Sequence, residues 1–229
     1  MEPSPTALIT GASAGFGRAV ALALAARGWD LIVTARTLEP LARVRAATGA
    51  MAIAGDVADP AHRARLATVL GEFDRLDLVV NNASALGPSP MPRLADYPLD
   101  EFATVLHTNV VAPLGILQLA RSKLRAANGI AVSVSSDAAT TPYEGWGGYG
   151  SSKSALDQLT AIFAAENPDL RVYSFDPGDM RTAMHQAAFP GEDISDRPEP
   201  GTVVPALLHL IDNRPPSGRY IAAEILIPQ

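Results

Sequence analysis

Tyr149 and Lys153 stand four residues apart in the segment Tyr149-Gly150-Ser151-Ser152-Lys153. In a helix that spacing puts a phenol and an ammonium on one face, one turn apart. A phenol at its ordinary pKa of about 10 exchanges protons poorly at neutral pH, and a neighbouring cation favours the phenolate and lowers that value. Five tyrosines and two lysines in 229 residues generate this pair by accident roughly 0.04 times. Ser136 lies 13 residues before Tyr149, where a hydroxyl can hydrogen-bond a substrate oxygen as charge develops on it. Ser133 and Ser135 beside it read as turn serines. Proton donor, cation and oxyanion partner are the equipment for moving a proton to or from a carbonyl or alcohol oxygen.

A second cluster is suited to holding phosphates. Thr10-Gly11-Ala12-Ser13-Ala14-Gly15-Phe16-Gly17 joins an apolar run to a helical segment. Glycines there let the backbone turn tightly and approach a pyrophosphate, while the helix start supplies free N–H groups. The bare glycine spacing arises by accident about 0.1 times in such a chain, so its placement carries the argument. The next apolar run ends Thr34-Ala35-Arg36. A carboxylate near that point would grip ribose hydroxyls; an arginine instead accommodates a 2′-phosphate, which favours NADP(H) over NAD(H).

These groups need rigid elements to bring them together. Short apolar runs alternate with longer helical segments, the pattern of a parallel sheet with helical crossovers. Strands are expected at 6–10, 30–34, 50–54, 76–80, 129–134, 171–175 and 220–225. Helices are expected at 15–27, 38–47, 60–73, 99–125, 149–166 and 202–211. Asp59 before Pro60 forms an N-cap with proline at the first helical position. The stretch 87–98 reads as a proline-rich loop. With no repeat or linker, 1–229 reads as one α/β domain: a Rossmann-type, doubly wound parallel sheet with helices on both faces. Ligands of such sheets sit outside the carboxyl ends of the strands, and each polar cluster above follows a strand end.

Taken in order, the motifs resemble the short-chain dehydrogenase/reductase family, whose glycine motif is T-G-x-x-x-G-x-G; the resemblance runs over about residues 6–182. It implies an oxidoreductase that passes hydride between a nicotinamide cofactor and a carbonyl or alcohol. It assigns Asn109, Ser136, Tyr149 and Lys153 as catalytic, Asn109 holding a water that relays protons towards Lys153. Ser136 would also orient the substrate oxygen, and Lys153 would hold the nicotinamide ribose beside Tyr149. Gly11, Ser13, Ala14, Gly15, Phe16 and Gly17 would wrap the phosphates and Arg36 the 2′-phosphate. The family's pair beside the adenine matches Asp56-Val57, and its N-N-A-G motif matches Asn81-Asn82-Ala83. Ser84 replaces the glycine, which calls the local turn geometry into question. Pro177, Gly178 and Thr182 match the P-G-x-x-x-T segment that holds the carboxamide. The stretches 81–87 and Gly145-Trp146 are similar to the sepiapterin-reductase branch. Helices 99–125 and 149–166 match elements used for dimer contacts, which implies a homodimer or homotetramer.

Substrate contacts are expected from 85–97, 137–148 and 183–200, the last a candidate lid. Tyr143, Trp146 and Met184, with Met180 and Phe189, offer apolar surface for a cyclic or aromatic carbonyl compound. A non-catalytic NADP(H)-sensing module would not require Ser136, Tyr149 and Lys153 together. An epimerase or dehydratase of the extended branch carries a different glycine spacing.

Composition bounds the remaining classes. A net charge of −6 disfavours binding to nucleic acid or to an anionic membrane. The chain has no cysteine and its four histidines are scattered, so no metal site is read. The start Met1-Glu2-Pro3-Ser4-Pro5 lacks the regions of a signal peptide. No apolar run reaches the ~18 residues of a membrane span. A cytoplasmic protein acting on a small molecule is the expectation.

Overall fold

The computed structural model describes residues 4–226; residues 1–3 of the amino-terminal segment and the last three residues of the 1–229 span lie outside the described residues. Seven parallel strands form one sheet in the order β3-β2-β1-β4-β5-β6-β7. They are β1 (Thr6–Thr10), β2 (Asp30–Ala35), β3 (Met51–Ala54), β4 (Leu78–Asn81), β5 (Ile130–Val134), β6 (Arg171–Asp176) and β7 (Gly218–Ile221). Chain order reverses between β1 and β4, which opens the crevice where doubly wound sheets bind ligands.

Both faces of the sheet are covered, which is why the central strands are apolar without alternation. In β1, Ala7 and Ile9 enter one core with α1 (Gly15–Ala26), α2 (Leu38–Thr48) and α8 (Pro200–Asn213). Leu8, between them, points into the other core. That core is built with α3 (Pro60–Gly71), α5 (Ala112–Ala127) and α6 (Gly147–Glu166). Asp59 caps α3, its carboxylate accepting the Ala61 N–H at 2.8 Å.

Several boundaries differ from expectation for local reasons. The strand expected at 220–225 ends at Ile221, and Ala222–Ile225 form α9. Pairing with β6 stops at Asp176↔Ile221, because Pro177 has no N–H to extend the ladder. The 183–200 stretch contains α7 (Ala183–Ala188), started by Thr182, whose hydroxyl accepts the His185 N–H at 3.1 Å. The helix expected at 99–125 consists of α4 (Leu99–Leu106), a π turn over His107–Val111, and α5.

Among the described residues this continuous helix, Leu99–Ala127, is long and apolar enough by length and composition to cross a membrane, which amends the reading above. Its Ile116, Leu117, Ala120 and Leu124 are buried against the sheet, while about a third of its apolar window as a whole, 33%, is buried.

Candidate active site

The glycine loop between β1 and α1 is held open by backbone geometry. Gly11 and Gly15 adopt φ of +65° and +53°, which side chains rarely tolerate. Helix α1 starts at Ala14 without a side-chain cap and without an acidic residue in its first turn. Its N–H groups therefore face the cavity free for an anion. Asn82 Nδ2 donates to the Thr10 and Gly11 carbonyls at 2.9 and 3.1 Å, and the Thr10 hydroxyl accepts the Ala83 N–H at 3.0 Å. Gly17 differs from expectation. It does not line the cavity. A Cβ there would sit 2.4 Å from Asn82 Nδ2 and 2.6 Å from the Gly11 oxygen, so it is a packing glycine that lets helix and loop meet.

One cavity of about 330 Å³ runs from this loop to the end of β5. Gly11, Ser13, Ala14, Gly15, Phe16, Asn82 and Ala83 line its centre. Arg36, Asp56 and Val57 line one end, and Ser136, Tyr149, Lys153, Pro177, Gly178, Thr182, Trp146 and Met184 line the other. Where β2 ends, Ala35 offers no carboxylate, and Arg36 is exposed beside it. The loop and the free helix start fit a dinucleotide pyrophosphate, and Arg36 fits an added phosphate.

At the far end α6 brings Tyr149 against the end of β5. Ser136 and Ser84 place their hydroxyls beside the Tyr149 phenol. Burial pushes its pKa upward, the negative charges of Asp176 and Asp137 add to this, and the two neighbouring serine hydroxyls only partly oppose it. Lys153 is buried one turn along. Its ammonium donates to the Val134 carbonyl at 2.7 Å and lies 5.3 Å from the centroid of the Tyr149 ring. Burial lowers Lys153 to about 8 against the pull of Asp157 and Asp176. The expected lowering of the phenol by the lysine is therefore corrected here: the cation is bonded elsewhere, and desolvation of Tyr149 wins.

Asn109 is placed differently from the role implied by resemblance. It lies in the π turn, 1% exposed, and does not line the cavity. Its Oδ1 accepts from Ser84 Oγ at 3.1 Å and the Ala85 N–H at 2.7 Å; its Nδ2 donates to the Ala85 carbonyl at 2.8 Å and Ser152 Oγ at 2.9 Å. The side chain is saturated, clamping the strand-end loop to α6. Ser84 thus does more than alter a turn: its hydroxyl donates to Asn109 and lies beside the Tyr149 phenol.

On the substrate side Leu86, Trp146, Met180, Met184 and Ala188 form an apolar wall. Trp146 packs edge-on to Tyr149 with centroids 5.8 Å apart, and Phe189 backs it at the same distance. Tyr143, expected to contact substrate, is 45% exposed and does not line the cavity; its hydroxyl donates to Asp137 Oδ2 at 2.8 Å. The 183–200 segment is tied down by Arg181 paired with Glu199 and by Arg197 Nε against His185 Nε2 at 3.4 Å. Ser89 donates to the Ala187 carbonyl at 2.6 Å, joining the proline-rich loop to α7.

Some site residues had no readable signal. Arg219, on β7, bonds Asp176 at 2.9 Å, Asp157 at 3.0 Å and the Ser136 carbonyl at 2.9 Å. It braces the strand end that carries Ser136 from a remote part of the chain, where no local motif marks it. Asp176 was findable, since it directly precedes Pro177-Gly178.

The family model for short chain dehydrogenase matches residues 5–193. The chain belongs to the short-chain dehydrogenase family. Serine 3-dehydrogenase of Rhizobium radiobacter is 35% identical over 185 residues, 78% of this chain and 73% of that protein. Sepiapterin reductase of Mus musculus is 32% identical over 199 residues, 79% and 76% of the two chains, in keeping with the branch similarity. A short chain dehydrogenase of Shigella flexneri 2a, complexed with NADP, superposes with a TM-score of 0.88 at 28% identity, covering 96% of this chain and 97% of that one. As a short-chain dehydrogenase, the protein is an oxidoreductase with a Rossmann-like parallel sheet.

Proposed function

We propose that this short-chain dehydrogenase interconverts a carbonyl and a secondary alcohol on a small cyclic or aromatic substrate, with NADP(H) as the preferred cofactor and Tyr149 exchanging the proton. One observation carries the reading: Tyr149, Ser136 and Lys153 line the same cavity as the uncapped start of α1 and Arg36. The Shigella neighbour's NADP and the relatives named serine 3-dehydrogenase and sepiapterin reductase support it.

When bound, the dinucleotide supplies hydride chemistry at the carbonyl carbon. The chain does the rest. The glycine loop and the α1 start hold the pyrophosphate, and Arg36 holds the 2′-phosphate. Asp56 and Val57 flank the adenine end, while Pro177, Gly178 and Thr182 hold the carboxamide. Lys153 grips the ribose, and Asn82 and Ala83 form the wall beside it. Ser136 polarises the substrate oxygen. In reduction that oxygen takes the Tyr149 proton; burial keeps the phenol protonated in the ligand-free site, which loads it as the donor but weakens it as an acid. Trp146 and Met184 supply the apolar side, and segment 183–200 covers the substrate. We read the protein as a homodimer or homotetramer; the exposed Val111 and Ile162 on the π turn and α6 support this.

NADPH oxidation followed by absorbance over a panel of aromatic and cyclic ketones tests the reading. Tyr149→Phe should remove turnover while leaving NADPH binding measurable by fluorescence. Full turnover in that variant would refute the assignment.

A further inference from the structure

The substrate end of the cavity holds an acidic group that the chemistry above leaves unused. Asp137 follows Ser136 directly and lines the cavity. Its Oδ1 accepts the Ser136 hydroxyl proton at 2.9 Å and the Ala138 N–H at 2.8 Å, and its Oδ2 accepts from the Tyr143 hydroxyl at 2.8 Å. All three partners are neutral donors. A carboxylate has about four acceptor positions, so one on Oδ2 remains for a ligand.

A serine hydroxyl carries a single proton. While Ser136 gives it to Asp137, it cannot also donate to a substrate carbonyl oxygen. A plain ketone must take that proton from an ionised acceptor and, because Asp137 is exposed, leave only water in exchange. A ketone whose neighbouring carbon bears its own donor can satisfy Asp137 and turn the Ser136 proton towards the reacting oxygen. The carboxylate and the serine are adjacent in the chain and bonded to each other, which matches donor and carbonyl on adjacent carbons. The apolar wall of Leu86, Trp146 and Met184 accommodates the rest of the substrate.

We propose that Asp137 is the specificity residue of this site and selects carbonyl compounds bearing a hydroxyl or ammonium on the carbon next to the carbonyl. In the reverse direction these are 1,2-diols and 1,2-amino alcohols. The proposal rests on the oxidoreductase reading above. The redox balance is unchanged: the carbonyl carbon gains hydride as NADPH is oxidised to NADP, and the oxygen gains the Tyr149 proton.

The test compares 2-hydroxyacetophenone and 2-aminoacetophenone with acetophenone, using NADPH, in the wild type, Asp137→Ala and Asp137→Asn. Because an α-substituent activates any ketone, the readout is the ratio of kcat/KM values within each protein. Sites built around a substrate donor reject analogues that lack it, so the wild-type preference for the hydroxy ketone should fall roughly tenfold or more in Asp137→Ala. Asp137→Asn keeps shape and an acceptor oxygen but not charge; it should retain part of the hydroxyl preference and lose the ammonium preference. Calorimetric binding of 2-hydroxyacetophenone to NADP-saturated protein should weaken in parallel in Asp137→Ala. Equal ratios in wild type and Asp137→Ala overturn the Asp137 assignment alone. Absence of NADPH oxidation with every ketone overturns the oxidoreductase reading beneath it.

Discussion

The Lys153 ammonium donates to the Val134 carbonyl oxygen at 2.7 Å, behind the Tyr149 ring and not at its hydroxyl. The strand end that carries Ser136 is thereby tied to the helix that carries Tyr149. The tie has a cost, because the cation is 2% exposed and burial lowers it from its ordinary 10.5 to about 8. Below pH 8 both folded and unfolded chains hold the proton, and the folded state bears the full desolvation cost. Between 8 and 10.5 the unfolded chain binds more protons, so the Lys153 contribution to stability climbs with pH; above that window both forms are neutral. Lys153→Met should therefore stabilise the ligand-free protein by ~2 kcal/mol near neutral pH, after subtracting the lost hydrogen bond. The gain should vanish as pH passes through the window. Urea unfolding across that range measures it, and a destabilised variant at neutral pH contradicts it.

Two glycines should respond oppositely to alanine. Gly17 has no unusual φ, yet its Cβ would meet Asn82 Nδ2 and the Gly11 oxygen. Gly17→Ala should displace the phosphate loop and weaken NADPH binding roughly tenfold or more, about 1.4 kcal/mol. Gly28 has φ +78° with nothing within 4 Å. Gly28→Ala should cost about 1–2 kcal/mol of stability through backbone strain and leave NADPH affinity as it was. Thermal melts and fluorescence titrations on both variants separate the effects.

Arg36 should decide between the two nicotinamide cofactors. It is exposed at the end of β2, where Ala35 supplies no carboxylate. A hydrogen bond to a charged group is worth about 1.5–3 kcal/mol. Arg36→Ser should therefore raise KM for NADPH by roughly tenfold to a hundredfold and leave that for NADH nearly constant. Equal changes for both cofactors would remove Arg36 from the 2′-phosphate site.

The parts of the site that were legible are those written into short stretches of chain. Tyr149 and Lys153 share a helix, so their relation depends on helical pitch alone. The glycine loop joins consecutive elements, β1 and α1, and its positive φ values follow from residues in a single turn. Ser136 and Pro177-Gly178 mark the ends of strands that alternate visibly with helices.

Legibility failed wherever a role depends on what a distant segment brings. Asn109 reads as a relay residue, but Ala85 and Ser152 use up its amide. Tyr143 and Trp146 look equivalent on paper, yet only Trp146 turns into the cavity. Ser84 looks like a change of turn and instead supplies a hydroxyl to Asn109.

The sequence by itself determined the order of elements, the α/β class and the chemical repertoire, because hydrophobic periodicity and motif spacing are short-range properties. Only the tertiary structure decided how that repertoire is wired. It decided that Ser136 gives its proton to Asp137, that Arg219 braces the end of β5, and that desolvation rather than the neighbouring cation dominates Tyr149. Hydrogen-bond direction and burial are set by groups far apart in the chain and packed together in space, and no local pattern encodes them.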